Sequence, residues 1–222
     1  MKPWQILGRE RAPEGGELVL HHSDGNYIIR VDGKELMSSR AHDSEEVLAH
    51  LGCSHLQKGA GARVLIGGLG LGYTLRAALD VLPGDASVVV AEIVPAVVAW
   101  NRGPLADLAG RPLEDSRVTV DPRDVGLVLR TTRVRFDVIL LDVDNGPAGL
   151  TRKANHVLYT EAGISLAKSA LRLGGVLAVW SAAPDAGFER RLRRCGLTAE
   201  THLAPARGKS GGSKHYIFLG RA

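Results

Sequence analysis

Residues 63–72 read RVLIGGLGLG, an apolar run that ends in a glycine-rich turn. Val64, Leu65 and Ile66 are apolar at consecutive positions, so a strand here must be buried on both faces. Gly67, Gly68, Gly70 and Gly72 let the backbone turn tightly and come close to a ligand. The helical pattern that follows would present free N–H groups to that ligand. The spacing is G-x-G-x-G, with Tyr73 standing where a dinucleotide fingerprint would need glycine. The turn therefore fits a nucleotide-type ligand other than a dinucleotide.

Outward from this turn the chain alternates strand and helix. Helical patterns fall at 74–83, 95–108 (with a break expected at Gly103-Pro104), 124–132, 159–171 and 186–196. Apolar strand runs fall at 87–93, 117–120, 136–144 and 174–182. Unbroken Val/Ile/Leu runs between helices predict a doubly wound, mostly parallel α/β sheet of Rossmann-like type. The last two strands, TAETHLAP (198–205) and HYIFLGR (215–221), are separated only by ARGKSGGS and should form a hairpin at one sheet edge. The loop at 205–214 is small, basic and flexible in composition.

Residues 1–42 differ. Strands are expected near 17–22, 26–31 and 34–37, punctuated by Asp24-Gly25-Asn26 and Asp32-Gly33. They make a small N-terminal antiparallel β unit, and residues 43–222 form the Rossmann-like domain. A helix over 43–52 would open with Asp43 or Ser44 as N-cap and end at Gly52.

The chain has 222 residues, 45% of them apolar and 23% charged, which excludes disorder for most of its length. Two cysteines, Cys53 and Cys195, lack metal-ligand spacing and exclude a disulfide scaffold; no metal is expected. Met1-Lys-Pro-Trp does not begin a signal peptide, and no apolar run reaches membrane-spanning length. The expectation is a cytoplasmic protein with no membrane partner. The net charge of +4 is uneven: residues 185–222 carry eight basic and three acidic side chains, the remainder 20 and 21. No aromatic residues interleave with these basic ones, so nucleic acid is not the expected partner.

In an open α/β sheet, ligands bind beyond the carboxyl ends of the strands. Glu92, followed by Ile93, ends the second strand of the alternating region, 20 residues beyond Gly72, where an acid accepts both hydroxyls of a ribose. Asp124 follows the third strand; it can cap the next helix or accept from an adenine amino group. Asp142-Val143-Asp144-Asn145 ends the fourth, and acids at the end of a buried strand are costly unless used or capped. Trp180 ends the fifth. Glycines, Glu and two Asp at successive strand ends make the arrangement of a class I S-adenosylmethionine (SAM) binding fold.

At this point the sequence resembles the spermidine/spermine synthase family. The resemblance runs through VDGKELMSS (31–39), the glycine run, Glu92, Asp124, FDVILLDVDNGP (136–147) and LYTEAGISLAKSALRLGGVLAVW (158–180). It implies a β-strand N-terminal part, a Rossmann-like catalytic part, a possible homodimer, and transfer of an aminopropyl group from decarboxylated SAM to an amine. It implies that the glycine loop lies along the amino-acid part of the ligand, that Glu92 holds the ribose, and that Asp124 and the Val125 backbone meet the adenine. Asp142 matches the family's catalytic acid, which takes a proton from the attacking amine.

The departures are specific. Gly70 stands where the family has an Asp that binds the ligand's amine end. Asn145 replaces a second strand-end acid, with Asp144 adjacent. The family's Tyr-His-Glu stretch becomes SEEVLA, where Glu45 or Glu46 must stand in for its acid. Glu46, Asn145, Tyr159 and Trp180 are the candidate acceptor-side residues, and Asp142 and Asp144 the catalytic candidates. These departures put a SAM-dependent methyltransferase with a small amine-bearing acceptor first among the readings. Aminopropyl transfer from decarboxylated SAM is the alternative, and a non-catalytic nucleoside-binding protein the third.

Overall fold

The computed structural model describes residues 3–11, 15–56, 61–143, 146–147, 153–207 and 213–222. The chain opens with four strands, β1 (Gln5–Arg11), β2 (Glu17–Ser23), β3 (Asn26–Val31) and β4 (Lys34–Ser38), paired antiparallel in sequence order. Asp24 and Asp32 take positive φ at 48° in the two hairpin turns, each followed by a glycine, as two-residue hairpin loops require. β1 has no counterpart among the strands expected from sequence. It is almost wholly exposed and lacks an alternating pattern. Its Gly8 explains its path: a Cβ there would lie 2.4 Å from Nε1 of Trp100, so the strand crosses directly over that indole.

Helix α1 (Asp43–Cys53) leads into the second sheet. Its N-cap is His42, not Asp43 or Ser44, and no side chain caps it. Then follow β5 (Arg63–Gly67), α2 (Tyr73–Val81), β6 (Ser87–Ala91) and α3 (Pro95–Arg102), which breaks at Gly103 as expected. Next come β7 (Val118–Asp121), α4 (Val125–Thr131), β8 (Phe136–Leu141), α5 (Glu161–Ala170), β9 (Leu171–Ser181), α6 (Ala186–Arg194), β10 (Thr198–Pro205) and β11 (Lys214–Arg221). Short 3-10 turns occupy Pro112–Glu114 and Lys153–Tyr159.

The seven strands lie in the order β10-β11-β9-β8-β5-β6-β7. β5, β6, β7, β8 and β9 are parallel, and β11 and β10 close one edge as an antiparallel hairpin. β5 is the middle of the five parallel strands, beside β8 where the strand order reverses, and the glycine turn follows it. β9 begins three residues before the expected start. Leu171 pairs with Phe136, then Leu173, 99% exposed, and Gly174 at φ +77° bulge outward before pairing resumes at Val176.

Both faces of the sheet are covered. Val64, Ile66, Val88, Val90, Val138 and Leu140 pack with α1, α2, Trp100 of α3 and the N-terminal strands. Leu65, Ile139, Leu141, Leu177 and Val179 pack on the opposite face with α4, α5 and α6. Alternate residues of each central strand feed different cores, which is why the strands read as continuous apolar runs. No helix among the described residues is long and apolar enough to cross a membrane.

Candidate active site at the carboxyl ends of the central strands

A cavity of about 130 Å3 opens beyond the carboxyl ends of β5, β6, β7 and β8. Gly68, Gly70, Glu92, Ile93, Asp124, Val125 and Asp142 all line it. Its other wall is apolar and comes from the N-terminal sheet through Leu18, Ile29, Leu36 and Met37. Two sheets that read as separate in sequence thus form one concavity.

Each polar group in the wall is held by a different device. Gly68 sits at φ +90°, and a Cβ there would lie 2.3 Å from the carbonyl oxygen of Asp142. Only glycine lets the turn after β5 lie against the end of β8. Gly70, at φ +53°, faces the Met37 thioether, which a Cβ would meet at 3.4 Å. Gly67 and Gly72 are placed outside the cavity wall. Gly67 ends β5 against Val125 and Leu141, and Gly72 is the N-cap of α2, close to Asn101.

Glu92 is 7% exposed. Its Oε2 accepts from the Leu69 N–H at 3.0 Å and its Oε1 from the Val94 N–H at 2.8 Å. The carboxylate therefore pins the glycine loop to the end of β6. Asp124 does cap α4, accepting from the Leu127 N–H at 3.1 Å, and lines the cavity as well. The cap reading thus describes its position, and the adenine contact stays a matter for the proposed function. Beside it Arg123, which the sequence did not single out, also lines the cavity and pairs with Asp121.

Asp142 is fixed at both ends. Its backbone N–H donates to the Gly67 carbonyl at 2.9 Å, and Oδ2 accepts from the Thr74 hydroxyl at 2.6 Å. Burial raises its pKa from 3.8 to about 6, against the opposing pull of the Thr74 hydrogen bond. Sequence alone does not point to Thr74, because a Thr in a first helical turn carries no signal of its partner.

A second carboxyl joins Asp142. Glu45, in the first turn of α1, has its pKa raised well above the ordinary value, first by burial and then by the charges of Asp142 and Glu46. Glu46 turns elsewhere, with Oε1 2.8 Å from His42 Nδ1 and its side chain 44% exposed. Consecutive helical residues point about 100° apart, so only one of the two can face the sheet. Neither Glu45 nor Glu46 is part of the cavity's lining; of the two, Glu45 is the one on which the Asp142 charge acts. Tyr73 is stacked on His42 at 3.9 Å, and its phenol is pushed up to about 12 by burial and by Glu45 and Glu46.

Tyr159 is corrected too. It is 2% exposed in the core, edge to face with Phe188, and its hydroxyl donates to the Val143 carbonyl at 3.0 Å. It braces the end of β8 rather than lining the cavity. Trp180 is half-buried against α1, its Nε1–H donating to Ser44 Oγ at 3.0 Å. Asp144 and Asn145 lie outside the described residues, as do residues 208–212 of the basic loop. Three of the four arginines of α6 are engaged in ion pairs: Arg191 with Asp185, Arg193 with Glu189, and Arg194 with Glu161 of α5. Among the described residues no cluster of His, Cys, Asp and Glu could hold a metal ion.

Comparison with known proteins agrees with this fold. A search of curated proteins gave no sequence match. Among solved structures, the chain is similar to a spermidine synthase from Thermotoga maritima, with a TM-score of 0.75 and 18% identity over 97% of this chain and 72% of that one. It is similar to a spermidine synthase in complex with the transition-state analogue AdoDATO, with a TM-score of 0.73, 18% identity and the same coverage. A probable spermidine synthase from Corynebacterium glutamicum gives 0.66 and 17% identity over all of this chain and 81% of that one. These likenesses establish the fold. The family model for the spermine/spermidine synthase domain matches residues 42–186, well over half of the sequence, and the chain belongs to that family.

Proposed function

We propose that the protein transfers an aminopropyl group from decarboxylated SAM to a primary amine of a small acceptor. The amine nitrogen attacks the carbon next to the sulfonium; the new C–N bond forms as the C–S bond breaks. The sulfur takes the electron pair and leaves as a neutral thioether nucleoside. The amine's proton goes to Asp142. The observation that carries this reading is the placement of the Asp142 carboxyl, raised to about 6 by burial, in the same cavity as Gly68, Glu92 and Asp124. A carboxyl tuned toward neutrality both accepts a proton readily and favours a cation beside it. On this reading Glu92 receives the ribose hydroxyls, and Asp124 and Val125 the adenine.

A second reading, methyl transfer from SAM, is favoured by one feature. Gly70 brings no carboxylate to the cavity, and the Met37 thioether faces it. A free ammonium at the end of the transferred chain finds no countercharge there. The family match favours aminopropyl transfer.

Calorimetric titration with both donors, followed by turnover with 1,4-diaminobutane, tests the choice. Tight binding of decarboxylated SAM and release of the thioether nucleoside support the proposal. Preference for SAM with methyl transfer supports the second reading. Binding without turnover of either donor leaves a nucleoside-binding protein, and failure to bind both donors and their nucleoside products removes all three readings of the cavity.

A further inference from the structure

Helix α1 begins without a side-chain cap, although it has a serine in its first turn. Ser44 belongs to a residue type that caps well, yet it is turned inward and is 1% exposed. Its Oγ accepts from the Trp180 indole N–H at 3.0 Å and lies 2.8 Å from His215 Nδ1. An indole N–H only donates. The same hydroxyl shares a hydrogen bond with His215 Nδ1, and the other ring nitrogen, Nε2, faces Ser213 Oγ at 3.3 Å. Burial lowers the His215 pKa and favours the neutral ring. The rings of Trp180 and His215 pack edge to face at 4.6 Å. Three elements far apart in sequence, α1, β9 and β11, meet at one hydroxyl.

The residues on either side of Ser44 are tied as well. His42 stacks on Tyr73 and bonds to Glu46. Tyr73 opens α2 and precedes Thr74, which donates to Asp142. Within this turn Glu45 is the side chain on which the Asp142 charge acts. We propose that Ser44, Trp180 and His215 are positioning residues whose hydrogen bonds fix the rotation of the first turn of α1 and hold Glu45 against Asp142. They thereby set the second carboxyl beside the cavity. A purely architectural tie between helix and sheet would contribute stability and nothing else.

The inference rests on the reading of Asp142 as the proton acceptor. Its test uses neither donor nor acceptor, so its failure is distinct from a failure of that reading. Carbon-detected NMR titration of the Glu45 carboxyl is measured in the full chain and in S44A, H215A, H215N and W180F. In the unmutated protein Glu45 should titrate well above 4.5. In S44A and H215A it should fall by about one unit or more as the turn is released into solvent. H215N offers an amide oxygen close to the place of Nδ1 and should restore the raised value. W180F keeps the ring but loses the donor, and should fall between. If Glu45 titrates unchanged in folded S44A, H215A and W180F, the positioning role is wrong. Should H215A fail to fold, S44A and W180F decide the matter in the same way.

Discussion

The two halves of the cavity rim use the same chemical group in opposite ways. Beyond β6 and β7, Glu92 and Asp124 are given backbone N–H donors: Leu69 and Val94 for the first, Leu127 for the second. Beyond β8, Asp142 has one hydroxyl donor, and Glu45 has the Asp142 charge beside it; burial raises both. A carboxylate supplied with N–H donors is held as a fixed acceptor; one that is desolvated is poised to exchange a proton. On the proposed function, the difference separates a half that grips the donor from a half that handles the acceptor's proton.

The sharpest way to break this contrast is Asp142→Asn. Turnover should fall about a hundred- to ten-thousand-fold, the usual contribution of a positioned base, while donor affinity stays within about twofold. Stability should move the other way. The folded chain retains a proton that the unfolded chain loses between 3.8 and about 6, so ionising Asp142 costs stability as pH rises through that window. D142N should therefore melt above the unmutated protein at pH 7 and lose that advantage below pH 4, as a thermal melt series would record.

Glu92→Ala attacks the gripping half. It removes the acceptor of two buried N–H groups along with the proposed ribose contact. Hydrogen bonds to a charged group contribute about 1.5–3 kcal/mol, so donor affinity should weaken about ten- to a hundred-fold in calorimetry. Gly68→Ala tests the joint between the halves. Its positive φ and the Asp142 carbonyl oxygen, 2.3 Å from where a Cβ would sit, leave no room, and chemical denaturation should report a loss of about 2 kcal/mol. Asp124→Ala has the smallest expected effect, about 1 kcal/mol for the lost cap of α4. Asp124→Asn should recover that stability, and any affinity deficit left in it then measures the adenine contact alone.

The βα alternation was legible because strands buried on both faces must be apolar throughout, as Val64–Ile66 and Val138–Leu141 are. The cavity's polar members were legible because strand ends are fixed once the strands are. What the sequence hides depends on distant partners. β1 is polar and edge-exposed, and its glycine is explained only by Trp100, far along the chain. The choice between Glu45 and Glu46 depends on the rotation of α1 against the sheet. Ser44 has the look of a cap and is spent on Trp180 and His215 instead. Tyr159 reads as a wall residue because it follows a strand-end segment, yet its ring fills the core below Val143. The apolar wall of the cavity comes from β2, β3 and β4, whose alternation signals a buried face but not what that face covers.

The central claim is that Asp142 takes the acceptor's proton in this cavity. The pH dependence of single-turnover alkyl transfer, measured with donor prebound in the unmutated chain and in D142N, tests it most directly. The account predicts that the rate falls away below a midpoint near 6 in the unmutated protein. In D142N that limb should be absent and the rate slow at every pH, with the donor still bound. A D142N variant that transfers at the unmutated rate with the same acid limb would contradict it.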